Sequence, residues 1–232
     1  MKKPVLIGAS LVLATSISIL GACGKESTSA SGESSNQQIA LSQVSKVTVN
    51  GKRLSEKEVK QYKDEYMQDT RKKLTQDNQS VIKNIILKEE LMKDLGVTQE
   101  QLEKEFSLNA ERVKNGPKGV TVSSKGLILH ESLVKAYAKK YLSSDDTLRT
   151  LSDSFKGEKK ESFISMTDMI PEDKDTPGTY NLPFNYYNLF LFYNGANKHN
   201  EAEVLKYQQN LLEKADVKGI KLSKLKTGEA IF

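Results

Sequence analysis

Residue types that carry out chemistry are scarce in this chain of 232 residues. There is one cysteine, Cys23, and there are two histidines, His130 and His199. A single thiol excludes a disulfide framework and any multi-cysteine zinc or iron–sulfur centre. Two histidines leave little for an imidazole-based metal centre. Asp173, Asp175 and Gly178 are spaced like the first half of a calcium loop. However, Pro177 takes the fifth position and Phe184 the twelfth, where a bidentate glutamate is required. Asp145-Asp146 and Glu89-Glu90 are adjacent carboxylates, and neighbours on a helix do not face one another. Cap and surface roles suit them better than joint acid–base work. No Gly-x-Ser-x-Gly elbow and no glycine-rich phosphate loop occurs. The residues therefore point to no catalytic group, no cofactor and no metal.

The aromatic residues are a different matter. Tyr180, Phe184, Tyr186, Tyr187, Phe190, Phe192 and Tyr193 put seven rings into fourteen positions, out of sixteen in the whole chain. Such rings bury large apolar area while a tyrosine hydroxyl tolerates a wet edge. Tyr186, Tyr187, Phe190 and Phe192 are the candidates for a cleft that grips apolar parts of unfolded chains. The same rings would equally serve as the core of a region that is otherwise poor in apolar residues.

Cys23 sits where an exported chain would be processed. Lys2 and Lys3 form a positive start, and residues 4–20 carry no charge and are mostly apolar. The run ends at Leu20-Gly21-Ala22-Cys23, small residues before a cysteine, which resembles a bacterial lipobox. That resemblance implies cleavage before Cys23, acylation of its sulfur and retention on the extracytoplasmic face of the cell membrane. Cleavage removes two lysines, so the formal net charge falls from +5 to +3 (5 − 2). Lys and Glu are intermixed along the chain, which reads as solvated helix faces. Nucleic acid is not an expected partner.

The elements that would position these groups are mainly helical. Residues 24–45 are rich in Ser and poor in large apolar residues, as in a flexible tether. Lys46-Val47-Thr48-Val49 alternates and meets Asn50-Gly51, a strand ended by a turn. Ser55 and Glu58 have capping-box spacing, flanked by a Leu54/Val59 staple, before a helix showing Val59, Tyr62, Tyr66 and Met67. A second helix runs from about Asp77 to Leu95 with Gly96 as its stop. A third starts at Thr98 with Gln101 at the capping-box position, and ends at Asn115-Gly116-Pro117. A fourth apolar stretch covers 127–142, and a short helix covers 145–155. Polar chain is expected to Pro171, and loop from Pro171 to Pro183. A last helix spans 200–214 and a final strand 217–222.

Taken in order, Val47 to Val59, then Gly96-Val97-Thr98-Gln99-Glu100-Gln101-Leu102, then Leu211 to Lys218 resemble the SurA/PrsA-type extracytoplasmic chaperones. The matching segments cover about residues 46–114 and 200–225. The resemblance implies a helical chaperone domain closed by the two ends of the chain, with unfolded or secreted polypeptides as partners. The family's parvulin prolyl-isomerase module has an early His-Ile-Leu strand, a Gly-Gly-x-Leu-Gly segment and a late His. None of these is in this sequence. The expectation is therefore a mainly α fold with a small two-stranded β element (α+β). It comprises a signal peptide at 1–22, a tether at 23–45, a SurA-like domain at 46–142 plus 200–226, and an inserted segment at 143–199. The expected function is a lipid-anchored chaperone-like protein without isomerase activity. The alternative is a surface lipoprotein that binds a partner in a secretion or conjugation apparatus, or acts as an immunity factor.

Overall fold

A computed structural model describes residues 39–67, 77–116, 121–167, 182–226 and 229–232. Cys23 and most of the 171–183 segment lie outside the described residues. The first helix, α1, spans Glu56–Tyr66 and begins as its capping box dictates. The Ser55 hydroxyl accepts from the Glu58 amide at 3.1 Å, and the Ser55 amide donates to the Glu58 carboxylate at 2.8 Å. Leu54 and Val59 are both buried, which completes the staple. Helix α2, Asn78–Leu95, is capped by Asp77 and stops at Gly96, whose φ of 70° is a left-handed conformation suited to glycine. Helix α3, Gln99–Asn115, carries a second capping box at Thr98 and Gln101, but only Leu102 on it is buried.

Helix α4, Lys125–Tyr137, runs into a π-helical turn at Ala138–Leu142. Helices α5 (Asp145–Ser154), α6 (Glu158–Thr167), α7 (Leu182–Ala196) and α8 (Lys198–Lys214) follow. Among the described residues all regular strand lies in one three-stranded antiparallel sheet. Its order is β2 (Lys52–Arg53), β1 (Thr48–Val49), β3 (Val217–Lys218). Thr48 pairs with Lys218 and Val49 with Val217, so the far end of the chain closes onto its start.

The fold is thus mainly helical with a small β element, and several details differ from the sequence reading. The sheet has three strands, not two. Asn50 (φ 50°) and Gly51 (φ 80°) form a tight two-residue turn that folds Lys52–Arg53 back on β1. The last strand is two residues long, not six. Gly219, at φ 84°, turns the chain where an added Cβ would stand 2.2 Å from the Lys46 carbonyl oxygen. The ordered chain also begins before Lys46. Leu41–Lys46 forms a 3-10 turn, and Val44 is 0% exposed with Ile39 and Leu41 packed beside it. The few apolar residues at the end of the Ser-rich segment therefore belong to the core and not to a tether.

Between residues 156 and 167 the polar chain contains α6, anchored by the single buried ring of Phe163. Pro183 lies in the first turn of α7, where a proline is tolerated. Residues Gln37–Phe232 form one compact unit, and the described helices of the segment 143–199 pack within it, with α7 lying against α4 and α6 against α7.

Two hydrophobic clusters fill this unit. One is mostly aliphatic and surrounds α2, joining Val44, Val47, Val49, Val59, Ile82, Ile86, Leu91, Leu133, Leu211 and Leu212. The other is rich in rings, with Tyr137, Phe155, Phe163, Tyr186 and Phe190 around Leu189 and Val204.

Candidate functional site

The aromatic stretch lies on α7, and its rings do not share one open face. Tyr186 and Phe190 are buried. The Phe190 ring meets Tyr137 edge-on at 5.9 Å, inside the second cluster. These two rings are core residues, and burial removes them as walls of an open cleft. Tyr187 is half-buried, with its ring edge-on to His130 at 6.2 Å. Phe192, also half-buried, packs at 5.5 Å from Phe155 and 5.3 Å from Phe163, on the side where α6 docks. Phe190, Tyr187 and Phe192 therefore pack against different partners. Leu191, on the same helix, is 51% exposed, so α7 keeps one side open to solvent.

The open apolar surface is beside this stretch. The π-helical turn, α5, the end of α7 and the start of α8 enclose a groove of about 400 Å³. Tyr141, Leu142, Leu151, Tyr193 and Ala196 supply apolar wall, and Thr147, Thr150, Asn197 and Asn200 supply polar positions. Tyr141 is 41% exposed. On a regular helix its position reads as core-facing. The π turn, which adds a residue to the turn, coincides with its displacement to the rim.

A polar network fixes that rim. The Asp94 carboxylate, at the end of α2, accepts from the Tyr141 hydroxyl at 2.8 Å, the Tyr207 hydroxyl at 2.7 Å and the Lys140 ammonium at 3.0 Å. Burial alone would push Asp94 up, but these three donors outweigh it and hold the carboxyl below its usual range. Tyr207 is pushed upward by burial and by its bond to Asp94. On the opposite wall the Tyr193 hydroxyl donates to Glu203 at 3.0 Å, and burial with that bond pushes Tyr193 up to about 12. Tyr193 and Tyr207 therefore remain neutral hydrogen-bonding rings near neutral pH.

A second groove, of about 260 Å³, lies among α1 to α4 and is lined by the stacked rings of Tyr62 and Tyr66 with Glu58, Glu65, Glu89, Glu103, Lys88 and Lys125. Lys125 bridges Glu65 and Glu103 at 3.1 and 3.3 Å, and Lys88 lies 4.3 Å from the Tyr66 ring centroid. Glu58 instead pairs with Lys52, which lies outside the groove.

Three Ser-x-x-Lys spacings, Ser80/Lys83, Ser132/Lys135 and Ser223/Lys226, escaped the sequence reading. Ser80-Val81-Ile82-Lys83 is a Ser-x-x-Lys pattern at the start of α2. Both side chains are buried. Lys83 Nζ is bonded to Glu229 and to Ser223, and the Ser80 hydroxyl lies 2.9 Å from Asp77 and 3.2 Å from Glu229. The pair is therefore committed to a buried ion network, and no base–nucleophile bond links Ser80 to Lys83. His130 bonds the Ile231 carbonyl through Nδ1 at 3.0 Å, while the exposed His199 lies 3.1 Å from Glu203. Among the described residues no three His, Cys, Asp or Glu side chains converge as a metal site. No described helix is long and apolar enough to cross a membrane. In comparisons with known proteins, no family model, no curated protein and no solved structure matches this chain.

Proposed function

We propose that this chain is a lipid-anchored extracytoplasmic protein that holds unfolded or secreted polypeptides, in the manner of SurA/PrsA-type chaperones but without prolyl isomerase activity. The observation that carries the reading is the pairing of β1 with β3. The segments of residues 47–59 and 211–218, which resemble that family in sequence, lie side by side as one closed unit. The groove beside the π turn adds a place for a client. Its tyrosine and leucine walls suit an apolar side chain, and its threonine and asparagine positions suit a peptide main chain. The anchor is Cys23, acylated after cleavage of residues 1–22.

The decisive experiment is a light-scattering assay with residues 24–232 and a thermally aggregating client. Suppression of aggregation is expected, and a Tyr141→Ala, Tyr193→Ala double variant that melts near the parent should lose most of it. No suppression at molar excess would overturn the reading and favour a partner-binding surface lipoprotein. In a prolyl-peptide assay the uncatalysed bond relaxes over tens of seconds, so any turnover would be plain, and none is expected. Mass spectrometry of the native N-terminus tests the anchor. An unmodified Cys23 would remove the membrane from the proposal.

A further inference from the structure

Two of the most deeply buried polar side chains have partners only in the last part of the chain. Gln208 on α8 is 0% exposed. Its side-chain carbonyl accepts from the Ile231 amide at 2.9 Å, and its side-chain NH2 donates to the Phe232 carbonyl. Lys83 on α2 is 1% exposed and pairs with Glu229 and Ser223. His130 on α4 donates from Nδ1 to the Ile231 carbonyl at 3.0 Å. The ring of Phe232 stands 5.5 Å from Tyr137 and 5.6 Å from Phe190, each in a tilted or edge-on arrangement.

This is the way a receptor holds a short peptide segment. Helices α4 and α8 supply side chains that bond main-chain amide and carbonyl groups of Ile231 and Phe232. One cation takes a carboxylate, and one aromatic pocket takes a ring. The segment it holds contributes no strand to the sheet and no long helix, and residues 221–226 before it are irregular. An empty cleft would leave an amide and an ammonium group buried without partners, which proteins avoid. The cleft therefore demands an occupant of matching chemistry.

We propose that the cleft between α2, α4 and α8 is a peptide-binding site occupied in cis by the chain's own Glu229–Phe232. Its ligand class is a short segment, turned at the residue that bears its carboxylate, with that carboxylate three residues before an aromatic ring and an aliphatic residue directly before that ring. Such a segment of another polypeptide enters when the tail leaves. The site is defined by the tail's own sequence. It rests on the polypeptide-holding reading only for the origin of the competitor.

A fluorescent peptide of the sequence of residues 226–232 is the probe, read by anisotropy with the full mature chain. In the unaltered protein the tethered tail competes at an effective concentration of roughly millimolar, so binding is weak. Phe232→Ala loosens the tail and should tighten peptide binding by about tenfold or more. Adding Gln208→Ala should abolish it. A Phe232→Ala protein that keeps its native circular dichroism and binds no peptide would overturn the proposal.

If that variant does not fold, hydrogen exchange of the unaltered chain decides. Exchange of the Ile231 amide through a local opening, faster than the α2 amides, supports a tail that leaves. Exchange only at the rate of global unfolding makes the tail ordinary core and overturns the proposal. Peptide binding with no protection of an aggregating client would remove the holding function and leave this site standing.

Discussion

The two clusters of this protein hold themselves together in different ways. The aliphatic cluster around α2 gathers residues from both ends of the chain, from Val44 to Leu225. It is closed by long-range polar links. Lys83 pairs with Glu229 across 146 positions, and Asn50 exchanges bonds with Asp216 across 166. The aromatic cluster draws its buried residues from positions 134–204 and is held by tilted and edge-on rings. The difference teaches that one compact unit can use chain closure on one side and local ring packing on the other. The first side loses stability when a distant partner goes, the second when a single ring goes.

The largest effect is expected from Lys83→Ala. It leaves Glu229 buried without its cation and should cost about 3–5 kcal/mol in a urea melt. Lys83→Met with Glu229→Leu should recover most of that, because a buried pair replaced by apolar volume is often neutral. Failure of the double variant to recover would show that the link carries more than electrostatics.

Phe163→Ala should cost about 3–4 kcal/mol, since its ring is the one buried side chain among those described on α6. Near-ultraviolet circular dichroism should report the loss while hydrogen exchange of α2 changes less. Equal loss of protection in both clusters would erase the contrast between them.

Gly126→Ala should cost about 1–3 kcal/mol. An added Cβ would stand 2.1 Å from the Tyr66 carbonyl oxygen, where α4 crosses the end of α1. Being backbone, that oxygen has little room to yield. An unchanged melting midpoint would mean that the two helices separate freely.

The smallest effect concerns Asp94, which ties the clusters together through Tyr141 and Tyr207. Its native pKa is held below the unfolded value, so its contribution is fully present above the ordinary carboxylate range. It is lost as the pH falls through the depressed native value. Asp94→Asn should therefore remove about 1 kcal/mol near pH 7 and progressively less in acid, read as converging urea midpoints. Parallel midpoints down to acid would show that the carboxylate charge is not what matters.

Legibility in the sequence followed the same division. The capping boxes at Ser55 and Thr98, the Asp77 cap and the Gly96 stop are local devices, and each stands where its residues indicate. Helix α7 gave no period because apolar residues lie on every side of it, including the exposed Leu191. Helix α6 was hidden because one ring in a polar run makes no stripe. The exposed groove wall was equally hidden, since Tyr141 keeps helical spacing with Tyr137 in sequence yet is 41% exposed within the π turn.

By itself the sequence determined the starts of α1 to α3, the Gly96 stop, the Asn50-Gly51 turn and the aliphatic stripe of α2. Those depend on backbone groups and side chains a few residues apart. Only the tertiary structure decided that Tyr186 and Phe190 are core, that Lys83 is an internal cation and that Gln208 grips the tail. Each of these depends on which distant groups exclude water from a side chain, and no local pattern encodes that.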